Sequence, residues 1–295
     1  MTPISQSIGQ SIGQFFREYL LAVQFFTRIP ITGRLADWVG YSPELLRASA
    51  GHFPGVGVLA GAVAAAVYAL LQAVLPDSTF TPLVAAALST VATVLLTGGF
   101  HEDGLADVAD GLGGSYDRDR ALEIMKDSRV GAFGAMALVL ALLGKVALLA
   151  ILGSVEGIPT GWGDWENWEG APFSSWYVCV ALWTAHVVSR GLPLLLIYLL
   201  PHVGDTALSK SKPLADQIAP SSLLVAFAWC FAVLALASLA LDAINLIVAG
   251  SFAVLALLGM ARLLKRRLQG FTGDCLGAAQ QVCEIAFYLG LAVSL

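Results

Sequence analysis

AFGAMALVLALLGKVALLAILGS, residues 132–154, holds a single ionisable side chain, Lys145, in 23 residues. At about 1.5 Å of rise per residue, a helix of this length reaches across the ~30 Å of bilayer hydrocarbon. A buried strand of a soluble protein meets a turn signal within about 4–8 residues, so the run reads as a membrane span. Six more stretches of the same character lie at 53–75, 81–100, 176–200, 220–241, 243–260 and 276–295. Pro54, Pro82 and Pro220 sit near span starts, where a missing N–H does least harm. The whole chain agrees: 57% of its 295 residues are hydrophobic and 13% charged, with a mean hydropathy of +0.77. A soluble domain would carry about a quarter of its residues charged. The predicted fold is all-α, a polytopic membrane bundle of about seven transmembrane helices.

The basic residues sort themselves by side. Arg17, Arg28, Arg34 and Arg47 precede the first span, and Arg118, Arg120, Lys126 and Arg129 follow the second. Lys210 and Lys212 follow the fourth, while Arg262, Lys265, Arg266 and Arg267 follow the sixth. All fall on one face; the two others, Lys145 and Arg190, lie inside spans. The positive-inside rule then places the N-terminus in the cytoplasm and the C-terminus outside. The expected location is the inner membrane of a bacterial or archaeal cell. Trp162, Trp165 and Trp168 in the longest opposite loop read as headgroup anchors.

The tetrapeptide SIGQ recurs at Ser7–Gln10 and Ser11–Gln14, suggesting a mobile tail over 1–14 before one catalytic membrane domain over 15–295. From Phe15 to Phe26, apolar residues recur at helical spacing. The stretch is too short to span and predicts an interfacial or re-entrant helix. Cys179, Cys230, Cys275 and Cys283 lack the spacing of a metal site or a disulfide framework and read as small core residues.

Between the second and third spans runs TGGFHEDGLADVADG, residues 97–111. In a helix, Asp103, Asp107 and Asp110 at i, i+4 and i+7 share one face. Like charges so spaced repel unless a cation neutralises them, and carboxylates with water suit Mg2+ or Mn2+. Glu102 falls on another face and is expected to be solvated. His101 precedes the cluster, placed to hold a ligand carboxylate or to accept a proton. Gly98, Gly99, Gly104 and Gly111 permit tight turns or close approach to a ligand. The loop ends in KDSRVG, residues 126–131, where Asp127 offers another carboxylate and Arg129 a fork for phosphate oxygens.

Lys210 and Lys212 form a second basic patch, and RRLQGFTGDCLGA, residues 266–278, joins cations, glycines and Asp274 at the head of the last span. A helix start there favours an anion. Glu284 and Arg190 lie deep within spans, where an ionisable group marks function by default; Lys145 reads as snorkelling or paired. Metal, carboxylates and cations converging on one face suit phosphoryl transfer.

The segment around H-x-D-G-L-A-D-x-x-D-G (101–111), Asp127-Ser-Arg-x-Gly131 and Gly270-Phe-Thr-Gly-Asp-x-x-Gly-Ala278 together resemble cobalamin synthase, the adenosylcobinamide-GDP ribazoletransferase family. The likeness extends from Phe25-Phe-Thr-Arg-Ile-Pro30 to the C-terminus. It implies joining α-ribazole, or its 5′-phosphate, to adenosylcobinamide-GDP with release of GMP and with Mg2+ as cofactor, a late step of cobalamin assembly. It implies Asp103, Asp107 and Asp110 as metal ligands, with Asp127 and Asp274 added. Arg129, Lys210, Lys212 and Arg266 become phosphate contacts. Gly98, Gly99, Thr272, Arg190 and Glu284 complete the substrate-binding candidates; His101 or a carboxylate is the base. No nucleic acid partner is expected beside the bilayer, and a homo-oligomer is compatible. Two other readings compete. A CDP-alcohol phosphotransferase shares Asp107-Val-Ala-Asp-Gly111 but should continue x-x-A-R, where this chain has Gly114-Ser115. A transporter should show repeated halves and midplane acids.

Overall fold

The computed structural model describes residues 3–155, 173–204 and 218–295, and every regular element among them is helical. In chain order these are α1 (Pro3–Phe26), α2 (Gly33–Val39), α3 (Pro43–Ser49), α4 (Phe53–Val74), α5 (Thr81–Thr97), α6 (Phe100–Gly114) and α7 (Arg118–Met125). There follow α8 (Ala132–Ser154), α9 (Phe173–Gly191), α10 (Leu194–Leu199), α11 (Pro220–Ala237), α12 (Ala243–Arg267) and α13 (Gly273–Ser294). Six helical stretches are long and apolar enough to cross a membrane, and α5 with α6 makes a seventh if that bent pair counts as one span. The chain is a multi-pass, all-α membrane protein.

The second span, expected over 81–100, ends at Thr97, and the chain turns by 91° into α6. The cause is local. Gly98 and Gly99 have φ of 69° and 72°, a left-handed conformation that costs glycine little and other residues more. Glu102, Asp103, Asp107 and Asp110 all lie on the 15-residue α6. A helix so acidic is costly to place across hydrocarbon, and at this turn the acidic α6 leaves the line of the apolar α5.

The bundle closes around α9, where Val178, Ala181, Leu182 and Ala185 are buried. Gly57 and Gly61 of α4 let that contact form. A methyl on Gly57 would lie 2.4 Å from the His186 carbonyl oxygen, and one on Gly61 2.7 Å from the Trp183 Cα. Small residues four apart are the usual device for close helix approach in membranes, where dispersion and not water exclusion drives packing. Outward faces stay apolar, as at Leu140, Phe231, Ile247 and Leu255, because they meet lipid.

The predicted N-terminal helix is present as α1, which begins at Pro3 and includes both SIGQ repeats. It buries Leu21, Ala22, Val23 and Phe26. Cys275 lies in the first turn of α13 with none of its surface exposed, in keeping with its reading as a small core residue. The tryptophans at 162, 165 and 168 and the lysines at 210 and 212 lie outside the described residues.

Candidate active site

Two helices bring the acids together. α6 crosses the start of α13 so closely that a methyl on Gly104 would sit 2.6 Å from the Asp274 carbonyl oxygen. A methyl on Gly277 would sit 3.2 Å from the His101 Cα. This crossing sets Asp274 beside the acidic stripe of α6. Burial first, and then the charges of Asp274, Asp103 and Asp110, push the Asp107 carboxyl up to about 7. Asp103 is exposed and Asp107 half-buried. Thr272, at the N-cap of α13, sends its hydroxyl toward Asp274 Oδ2 at 3.4 Å.

The stripe does not stay open along its length. Asp110 is 8% exposed; its Oδ2 accepts from the Gly131 N–H at 2.7 Å and its Oδ1 from the Gly134 N–H at 2.8 Å. It therefore caps α8, satisfying donors that a helix start leaves unpaired. Methyls on Gly131 or Gly134 would collide with that carboxylate. The outer end of the stripe, Asp103 and Asp107, is the part left for a ligand.

Among the described residues no three His, Cys, Asp or Glu side chains form a ready-made metal cage. The donor set nevertheless fits Mg2+, which keeps water and binds through one or two carboxylates plus substrate phosphates. Asp103, Asp107 and Asp274 supply hard oxygen donors of that kind.

Other predicted residues fall in different places. Asp127 and Arg129 pair with each other, Nε to Oδ1 at 2.9 Å, which pulls the Asp127 carboxyl down to about 2. Arg266 is exposed on the last turn of α12. Its neighbour Arg267 reaches the Leu112 and Ser115 carbonyls at 2.9 and 2.6 Å, and Arg118 returns a bond to the Leu268 carbonyl at 2.8 Å. These bonds fasten the end of α6 and the start of α7 to the end of α12. His101 is 1% exposed, stacked on Phe53 with ring centroids 5.5 Å apart.

Arg190 and Glu284 lie in a buried polar network. Lys145 Nζ stands 2.6 Å from Glu284 Oε1, and Gln280 donates to Glu284 Oε2 at 2.7 Å. Arg190 reaches the His186 ring and carbonyl, both at 2.9 Å. Gln281 links Gln280, at 3.0 Å, to Glu102 Oε1, also at 3.0 Å. Glu102, expected to be solvated, thus faces α13: it lies on the inner flank of α6 because α13 covers that flank.

A family model described as cobalamin-5-phosphate synthase matches residues 18–292. The chain belongs to the cobalamin-5-phosphate synthase family. Curated relatives in that family span nearly the same length. One from Polaromonas naphthalenivorans (strain CJ2), named adenosylcobinamide-GDP ribazoletransferase, is 78% identical over 96% of this chain and 99% of its own. Another of that name from Polaromonas sp. (strain JS666) is 79% identical with the same coverage. A third, from Albidiferax ferrireducens, is 60% identical over 96% of this chain and 100% of its own. No solved structure matches. This synthase-family chain is an enzyme, a transferase of cobalamin biosynthesis, and its acidic helix and α13 crossing lie inside the matched region.

Two residues of this synthase-family bundle escape a motif reading. Arg267 acts through backbone carbonyls, which leave no mark in sequence. Arg28 reads as one more anchoring cation, yet its guanidinium lies against Gly98, where a methyl would come within 2.0 Å of Nε. The signal available for it was its place in Phe25-Phe-Thr-Arg-Ile-Pro30.

Proposed function

We propose that the chain joins α-ribazole, or its 5′-phosphate, to adenosylcobinamide-GDP with release of GMP, using Mg2+ at the cytoplasmic face of a bacterial or archaeal inner membrane. The observation that carries this reading is the crossing of α6 and α13 at Gly104, which gathers Asp103, Asp107 and Asp274. Names and full-length identity of the relatives support the substrates. The sidedness rests on the charge pattern of the loops.

In the proposed reaction a ribose hydroxyl attacks the phosphorus attached to cobinamide. A new P–O bond forms there as the bond to the GMP phosphate oxygen breaks. Asp103, Asp107 and Asp274 would hold Mg2+, which supplies charge neutralisation on the diphosphate and on departing GMP. The hydroxyl proton passes to a carboxylate of this cluster. His101 is the poorer acceptor, since it sits two residues from Asp103, on the opposite flank of the helix, packed against Phe53. Asp110 positions the stripe by holding α6 to α8. Burial of Glu102 against Gln281 fixes the roll of α6, so the acids face outward.

Purified protein in detergent with adenosylcobinamide-GDP, α-ribazole and Mg2+ should release GMP and form the joined corrinoid. A CDP-alcohol phosphotransferase would release CMP from a CDP-alcohol instead, and a transporter would release no nucleotide. Absence of GMP release from well-folded protein, with Mg2+ present, would overturn the reading.

A further inference from the structure

We infer that Arg28 grips the diphosphate of the substrate, across a cleft it shares with Asp103. The inference rests on the transferase reading above and adds a residue to it. The cleft, of about 560 Å3, opens between the end of α1, the α5–α6 turn and α8, and Arg28, Gly98, Gly99, Phe100, Asp103 and Val130 line it. Its size is that of a small-molecule site.

Arg28 is held in place before any ligand arrives. The Thr27 hydroxyl bonds the Val23 carbonyl at 2.7 Å and accepts from the Ile29 N–H at 3.1 Å. The Arg28 N–H itself bonds the Leu96 carbonyl at 2.7 Å. The side chain then lies against Gly98, which is needed twice over: for its positive φ and because any Cβ would strike the guanidinium. With its backbone so anchored at the rim of the cleft, Arg28 presents a planar fork that suits phosphate oxygens.

The charges in the cleft are the second argument. Arg28 and Asp103 line one cavity, both exposed, yet neither makes a salt bridge or side-chain hydrogen bond among the described residues. Elsewhere on the basic face Arg118 pairs with Asp119 and the Leu268 carbonyl, Arg120 with Glu123, Arg129 with Asp127 and Arg267 with backbone, while Arg34, Arg262 and Arg266 are, like Arg28, exposed without a side-chain partner among the described residues. Arg28 differs in sharing a cleft with an unpaired carboxylate. Opposite charges that face one cleft without pairing leave room for a ligand that answers both. A metal-bound diphosphate does so, offering oxygens to a cation and metal to a carboxylate.

GDP is the probe, its binding to full-length protein measured by equilibrium dialysis with Mg2+ and without a second substrate. Arg28→Gln should weaken GDP binding by about 10- to 100-fold, the loss of a charge-assisted phosphate bond. It should raise the KM for adenosylcobinamide-GDP similarly and leave the KM for α-ribazole within about twofold. Unchanged GDP affinity in a folded Arg28→Gln protein overturns the inference. Should that variant fail to fold, Arg28→Lys decides, because it keeps charge but loses the fork: weaker GDP binding supports the grip, and wild-type affinity overturns it. A wild type that binds GDP through Arg28 but never releases GMP would sink the transferase reading and spare this one.

Discussion

Lys145 and Glu284 form a salt bridge of 2.6 Å in the middle of the bundle, with side chains 2% and 1% exposed. Neither charge reaches water, so each depends on the other. Lys145→Met should therefore lower stability in detergent by about 3–5 kcal/mol, because it strands a buried carboxylate. The double variant Lys145→Met with Glu284→Leu should recover much of the loss. Thermal unfolding of the two proteins checks this; equal destabilisation by both would mean that the pair is not coupled.

Asp110 and Asp103 should separate in their effects. Asp110→Asn puts an amide where two backbone N–H groups now donate, and should cost about 1–3 kcal/mol of stability along with activity. Asp103→Asn, on the exposed end of the stripe, should stay within about 0.5 kcal/mol of wild type while losing activity. Unfolding curves that coincide for the two variants would contradict the capping role.

Membrane sidedness can be tested with introduced thiols, since Cys230, Cys275 and Cys283 are buried. Tyr116→Cys, at a position 94% exposed beside the basic residues, should react with an impermeant reagent only after cells are opened. Ser78→Cys, exposed in the loop between α4 and α5, should react in intact cells. The reverse pattern would invert the proposed topology.

The pH dependence follows from Asp107. Its carboxyl is held up near 7, so below that value it keeps its proton and is a poor cation ligand. The Mg2+ concentration for half-maximal GMP release should rise as pH falls from about 8 to about 6. Without metal the sign for stability is opposite: the folded state holds the proton more tightly than the unfolded chain, so stability is lost as pH rises through about 7. Asp107→Asn should flatten that stability profile. A Mg2+ requirement that does not change with pH would contradict the placement of Asp107.

Hydropathy made the spans legible, because the bilayer imposes length and composition on each helix by itself. The stripe of Asp103, Asp107 and Asp110 was legible for the same reason: i, i+4 and i+7 need no tertiary knowledge. What it does with its third member was not, since the donors to Asp110 come from Gly131 and Gly134 on another helix. The same holds for Glu102, called solvated from its helical face alone, whose partner Gln281 lies near the far end of the chain. Gly98 and Gly99 marked a turn, but its angle, and so the end of α5 at Thr97, depends on two left-handed residues in a row. Glu284 and Arg190 stood out as ionisable groups deep in spans and so as substrate-binding candidates; the structure gives them protein partners within the bundle.

In the proposed reaction Asp274 of α13 and the outer acids of α6 form one cation site. That site is tested most directly by the Mg2+ dependence of GMP release in Asp107→Asn, Asp274→Asn and the double variant, each in purified, folded protein. Each single variant should need about tenfold or more Mg2+ for half its residual rate, or lose activity outright. The double variant should be little worse than the more damaged single, since a site already broken cannot be broken again. An Asp274→Asn protein with wild-type rate and wild-type Mg2+ dependence would remove Asp274 from the cation site.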